Sequence, residues 1–158
     1  MLKRCLKKKL INQAEVEDFL KSWKDGVLEI GSAYRKDNNY KEVAKAFINK
    51  HYAFEDGNVL FKPTYTTEVV FRNNLESALS YFISGDIPED SGFAIKPWEN
   101  IDVSNINFLI ESGLFAVHGI LNLQSSDSVN QTKIAFTFIL VKTNDNIKIK
   151  IHHSSPLN

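Results

Sequence analysis

The sequence predicts an α+β domain, with helices first and a curved antiparallel sheet after them. Three segments before residue 85 carry apolar residues at helical spacing, and from about residue 92 onward the pattern changes to alternation. Helices segregated from a later run of strands pack as a layer against one face of the sheet. The length, 158 residues, suits one domain, and a chain of that size buries roughly 70% of its unfolded surface without staples. There is no internal repeat and no low-complexity segment. Cys5 is the only cysteine, so the chain can form neither an intrachain disulfide nor a cysteine-based zinc site. That usage fits a reducing compartment.

Charge divides the chain into a basic head, residues 1–12, and a domain, residues 13–158. The head MLKRCLKKKLIN holds Lys3, Arg4, Lys7, Lys8 and Lys9 and no acid. The formal net charge of the whole chain is zero, so the rest carries five more acids than bases. An acidic body argues against a nucleic-acid partner, which needs a basic face on the folded domain. The head reads as a solvated arm. It has no apolar run of a secretory signal, and no stretch approaches the ~18 apolar residues of a membrane span. The expectation is a cytoplasmic protein.

The first helix is NQAEVEDFLKSWKDGVLEIGSAYRK, with Val16, Phe19, Leu20, Trp23, Val27, Ile30 and Tyr34 on one stripe. Gly26 and Gly31 weaken it by ~1 kcal/mol each relative to Ala, and they admit close approach by another element. The second, YKEVAKAFINKHY, aligns Tyr40, Val43, Ala44, Phe47, Ile48 and His51, with Asn38 or Asn39 as its cap. NVLFKPTYTT reads as a short strand that Pro63 ends or confines to an edge. NNLESALSYFISGD is the third helix, burying Leu75, Ala78, Leu79 and Phe82. Five strands are then expected, over residues 92–98, 103–112, 114–124, 132–143 and 147–155. The last two form a hairpin. Such a sheet, wrapped around the packed helices, makes the cone of the NTF2-like fold, with a pocket on the concave face. The fold by itself leaves the chemistry open.

The chain ends in IKIKIHHSSPLN. Strand side chains alternate between faces, so Ile147, Ile149 and Ile151 share a face with His153 and Ser155. Lys148, Lys150, His152 and Ser154 share the other. If the isoleucines look toward the helices, His153 and Ser155 enter the cone. A bulge, or a bend near Pro156, reverses this. A histidine beside an apolar face is more often a satisfied structural group than a functional one, and serines at a strand end are more often caps. His51 and His118 lie far off in sequence and show no metal-ligand spacing.

Ordered blocks along the chain carry a family likeness: VLFKPT at 59–64, FR at 71–72, ALSYF at 78–82, EDSGFAIKPW at 89–98 and HHSS at 152–155. Together they resemble the iota-class carbonic anhydrases of the bacterial and algal kind, from the first helix to the C-terminus. That family is built on an NTF2-like domain akin to SnoaL-like proteins and the kinase association domain. The resemblance implies reversible hydration of carbon dioxide to bicarbonate, with no bound metal and no cofactor. It implies Thr64 and Tyr81 as pocket residues, with a histidine and a serine from HHSS. Alternation selects His153 and Ser155, with His152 and Ser154 as the alternates. Two departures stand out. The family pattern HHSSxP becomes HHSSPLN here, and the segment 65–70 looks one residue shorter.

The chemistry asked of these groups is to orient a water and stabilise the forming bicarbonate oxygens. Thr64, Tyr81 and Ser155 would donate, and His153 would accept the water proton. Phe61, Phe82 and Phe93 would supply dry walls. Each group also has an ordinary explanation: Thr64 as a turn cap, Tyr81 and Trp23 as packing, Trp98 as core or interface. Arg72 and Glu76 read as a surface pair four apart on a helix. The competing functions are a non-catalytic association module and an isomerase or cyclase. A homodimer is the expectation in either case, and the association module would pair through outward residues such as Thr132, Ala135 and Thr137. The second needs a pocket carboxylic acid, for which Asp90 is the candidate.

Overall fold

The computed structural model describes residues 10–158. Three helices, α1 (Gln13–Arg35), α2 (Tyr40–His51) and α3 (Leu75–Ile83), pack on the concave side of one sheet. The strands are β1 (Leu60–Lys62), β2 (Trp98–Glu111), β3 (Leu114–Ser125), β4 (Thr132–Thr143) and β5 (Asn146–Leu157), in the spatial order β1-β5-β4-β3-β2. The α+β expectation therefore holds, and the long strands follow the predicted order.

Local chemistry explains most boundaries. Asn12 caps α1, its side-chain oxygen accepting the Glu15 N–H at 2.9 Å. Ile11 is buried in the core. The packed chain thus begins inside the arm expected at 1–12, with Leu10 exposed beside it; residues 1–9 lie outside the described residues. Asn39 occupies the N-cap of α2 in a left-handed conformation, without a side-chain capping bond. Asn144 and Asp145 both take positive φ, the turn that matches the twist of a two-residue hairpin between β4 and β5. One strand expectation fails. Residues 92–98 hold a single helical turn at Phe93–Ile95, and β2 begins only at Trp98. Gly92 has φ of +83° there, and a Cβ on it would meet the Ile95 side chain at 2.5 Å.

The apolar faces converge on an aromatic core. Val16, Phe19, Leu20, Trp23, Val27 and Ile30 of α1 are buried, as their spacing requires. Gly26 lets Phe47 of α2 lie where a Cβ would stand, at 2.5 Å, and Gly31 does the same for the backbone oxygen of Ala94, at 2.9 Å. The sheet supplies Phe115, Val117, Leu121 and Leu123 from β3 and Ile134, Phe136, Phe138 and Leu140 from β4. Register shifts in β2, between Trp98 and Asn100 and between Ser104 and Asn107, bend the sheet into its cone.

One ion pair sits inside this apolar frame. Arg72 is fully buried and makes a two-pronged contact with Asp90, at 2.6 and 2.8 Å. Asp90 also accepts from the Ser80 hydroxyl at 2.7 Å, and Arg72 donates to Glu89 at 3.2 Å. Glu89 in turn accepts the backbone N–H groups of Thr67, Glu68 and Val69. Those bonds hold its carboxyl down at about 2. The surface pair expected between Arg72 and Glu76 is thus corrected. Arg72 turns inward because the segment after β1 runs back along it, its N–H bonding the Phe61 carbonyl at 2.8 Å. Asp90, the candidate pocket acid of the isomerase or cyclase reading, is its buried counter-ion.

Removing one partner of a buried pair leaves an uncompensated charge, which costs about 3–5 kcal/mol. Arg72→Met should therefore lower the urea-unfolding free energy by that amount, and Arg72→Met combined with Asp90→Leu should recover much of it. Equal losses in the single and double variants would show that the pair contributes nothing as a pair.

Candidate active site

The parallel pairing of β1 with β5 sets Phe61 opposite His152 and Lys62 opposite His153. It carries the KPT segment alongside HHSS at the sheet edge, although ninety residues separate them in sequence. α3 presents Tyr81 and Phe82 toward the same place. A small hollow results, lined by Trp23, Phe61, Pro63, Thr64, Tyr81, Phe82, Phe93, Leu121, His152 and Ser154. About 10 Å³ of it is open to the centre of a water-sized sphere, room for about one water molecule. Its walls are mostly aromatic, and its lining side chains carry three hydroxyls, one imidazole and the indole N–H of Trp23, which is engaged by the Tyr52 hydroxyl.

Four sequence candidates meet here: Thr64, Tyr81, His152 and Ser154. The preferred pair, His153 and Ser155, does not. Both are exposed and line a trough on the outer face with His118 and Thr137. The cause is a bulge in β5. Leu140 pairs with Ile149 and the adjacent Ile139 with Ile151, so Lys150 has no partner. One extra residue shifts the alternation. Ile149 faces the core, and after the bulge His152 and Ser154 do too, each at 5% exposure or less. Pro156 plays no part, since it keeps its place opposite Ile134.

Tyr81 is the unusual member. Its hydroxyl is buried and makes no hydrogen bond within the described residues, although buried polar atoms are nearly always paired. Its ring is fixed by stacking on Phe93 at 5.8 Å and by edge contacts with Phe61 and Phe82. The Arg72 guanidinium lies 6.0 Å from its ring centre. Burial pushes the phenol's pKa up, and the nearby Thr64 hydroxyl and Tyr65 backbone N–H offset this only in part. Tyr81 therefore stays protonated, with a hydrogen to donate.

His152 is held on both sides. Nδ1 lies 2.9 Å from the Tyr52 hydroxyl and Nε2 lies 2.6 Å from Ser154 Oγ. Phe61 stacks on the ring and Phe138 meets its edge, both at 4.6 Å. Burial, with a smaller repulsion from His153, brings its pKa down to about 3. The ring is neutral, and both nitrogens are engaged. This geometry suits orienting Ser154 rather than taking a proton from water, the role expected of His153. Lys62, unremarked in the sequence, closes the edge by donating to the Ser154 carbonyl at 3.1 Å. Trp23 and Tyr52 are further members. Trp23 was readable as core, and Tyr52 only continues the apolar stripe of α2.

A helix-backed curved sheet closing over such a hollow defines a cone of the NTF2-like class. At the level of fold the chain is similar to a putative dehydratase of the NTF2-like family from Streptomyces avermitilis, with a TM-score of 0.64 at 12% identity, covering 92% of this chain and 95% of that one. A family model described as metal-independent carbonic anhydrase matches residues 14–156. The chain belongs to that family. It is 30% identical to a metal-independent carbonic anhydrase of Nostoc sp. (strain PCC 7120 / SAG 25.82 / UTEX 2576) over 162 residues, spanning 98% of this chain and 78% of that protein. It also superposes on the crystal structure of an iota-carbonic anhydrase from a cyanobacterium complexed with bicarbonate, with a TM-score of 0.89 at 28% identity and 99% coverage of both chains.

Two buried neutral histidines give the protein an acid sensitivity. His51, bonded to the Phe47 carbonyl at 2.8 Å and to Ser22 Oγ at 2.9 Å, is brought down to about 4 chiefly by desolvation. Both rings fall below their ordinary value, about 6.5, so the unfolded chain binds more protons between that value and the folded one. Their stabilisation is complete above about pH 6.5 and declines by about 1.4 kcal/mol per pH unit and per ring below it. The urea midpoint should fall as the pH drops from about 6.5 toward 4, and His51→Gln should blunt the fall. A flat midpoint across that range would contradict the buried neutral state.

Proposed function

We propose that this protein hydrates carbon dioxide reversibly to bicarbonate in the hollow between Thr64, Tyr81 and Ser154. The observation that carries the reading is the unpartnered Tyr81 hydroxyl, buried beside two further hydroxyls. A buried phenol that makes no hydrogen bond of normal geometry, in an aromatic-walled hollow, favours a small oxygen-bearing guest. Carbon dioxide suits the aromatic walls, and bicarbonate suits the donors.

In the forward direction the water oxygen bonds to carbon, and one C=O electron pair moves onto oxygen. The proton passes to solvent base, giving bicarbonate. The oxygens that gain charge face preorganised O–H donors, each worth about 3–4 kcal/mol in such a site. Neutral His152 contributes through Ser154. The isomerase or cyclase reading loses its support, because Asp90, its candidate acid, is buried and committed to Arg72.

Oxygen exchange between labelled carbon dioxide and water, in chelator-treated protein, tests this. Tyr81→Phe and Ser154→Ala should each slow exchange by about 10²–10³-fold, while His153→Ala and Ser155→Ala should change it little. Loss confined to the latter pair would place the reaction on the outer face. No exchange above buffer in the parent protein would end the proposal.

The rate should also show no inflection near pH 6.5, the usual imidazole range of about 6–7. His152 remains neutral down to about 3, and the Tyr52 and Tyr81 phenols remain protonated above their ordinary range. A clear inflection there would assign proton transfer to a solvated histidine.

The same reading takes the protein as a cytoplasmic homodimer paired through the outer face of the sheet. No described helix covers that face, and Ala135 and Thr137 present small side chains on it. Among the described residues no helix is long and apolar enough to cross a membrane. Light scattering should report a dimer that Thr137→Glu dissociates; a monomeric parent protein would remove the claim.

A further inference from the structure

The polar chain behind the hollow has a direction that follows from counting donors. The Trp23 indole N–H can only donate, and it meets the Tyr52 oxygen at 3.3 Å. That oxygen is thereby engaged as an acceptor. Its own hydrogen has one acceptor in reach among the described residues, His152 Nδ1 at 2.9 Å. A neutral imidazole that accepts at Nδ1 carries its hydrogen on Nε2, and Nε2 lies 2.6 Å from Ser154 Oγ. Ser154 therefore accepts from the ring. Its own hydroxyl hydrogen is left over, on the wall shared with Thr64 and Tyr81.

We propose that Tyr52 is a positioning residue of this site: by donating to His152 Nδ1 it fixes the Nε2–H tautomer, and so turns the Ser154 hydroxyl hydrogen into the hollow. With the other tautomer, Ser154 would donate back to Nε2, and the hollow would lose one of its three donors. The backbone supports the assignment. Tyr52 bridges Ile149, and the next N–H, of Ala53, bonds the Ile149 carbonyl at 3.0 Å. Tyr52 thus grips β5 on both sides of the Lys150 bulge, by main chain before it and by side chain after it. The Phe61 and Phe138 rings pack on the face and the edge of the imidazole, each at 4.6 Å.

The donor role of Ser154 toward bicarbonate rests on the function proposed above; the tautomer does not. Long-range nitrogen-15 NMR of the His-labelled full chain reads the tautomer directly. Wild type should show Nε2–H at His152, and Tyr52→Phe should convert it to Nδ1–H or a mixture. The same variant should raise the bicarbonate KM by roughly tenfold or more, the worth of a hydrogen bond to a charged oxygen. Ser154→Ala should match that rise while keeping the Nε2–H tautomer. Trp23→Phe is a second probe if Tyr52→Phe fails to fold. It frees the Tyr52 oxygen to accept from Nδ1–H, so a mixture is again expected.

Nδ1–H in wild type, or Nε2–H unchanged in both tyrosine-chain variants, would overturn the proposal. So would a tautomer shift with an unchanged bicarbonate KM, since Ser154 would then not be steered. A parent protein with no exchange whose tautomer still responds to Tyr52→Phe would sustain the tautomer assignment and defeat the carbonic anhydrase reading instead.

Discussion

Between Ile149 and Ile151, β5 carries a residue that β4 does not match. Everything in the hollow depends on that mismatch. A regular strand that keeps Ile149 in the core would send His153 and Ser155 inward and leave His152 and Ser154 outside. The bulge lets the same strand serve two partners in turn. Before it, Ile149 packs in the core and pairs with the end of α2; after it, Ile151 and the histidines pair with β1. The extra residue accommodates the change of neighbour, and the site forms where the new neighbour begins.

Burial governs the electrostatics that follow. Water is excluded from His152, so its charged form is disfavoured and the ring acts as a fixed hydrogen-bonding link. The same exclusion keeps both phenols protonated. The hollow is accordingly a set of neutral donors whose hydrogens do not come and go near neutral pH. Such a site has little to offer as a base and much to offer as a preorganised acceptor of developing negative charge. On the function proposed above, such groups suit stabilising the product oxygens better than stripping the water.

The front of the cone is held by different means. Thr64 and Tyr65 lie in a connection without regular structure, which on its own would be mobile. Glu89 gathers the N–H groups of Thr67, Glu68 and Val69, and Arg72 ties Glu89 and Asp90 to the end of that connection. Asp90 extends the tie to Ser80, next to Tyr81 on α3. One buried guanidinium therefore sets the spacing between the threonine and the tyrosine that face each other across the hollow.

Much of this was legible in the sequence. Most of the helical stripes of α1 and α2, the order of the long strands and the hairpin at Asn144 follow from periodicity and turn chemistry, which act over a few residues. Tyr34 is exposed instead of buried, α3 buries Tyr81 and Ile83 while Leu75 and Leu79 are only half-buried, and β2 starts at Trp98 rather than at 103. Family likeness brought Thr64, Tyr81 and HHSS to attention. Three things were not legible. IKIKI keeps its alternation straight through the bulge, so nothing local marks Lys150 as the extra residue. The partner of Arg72 is eighteen residues away and that of Tyr52 a hundred, distances at which spacing says nothing. The sequence by itself determined which residue types are available and which local elements they form. Only the tertiary structure decided which histidine and which serine face Tyr81, because the pairing of β5 with α2 and then β1 is a long-range choice that no strand makes alone.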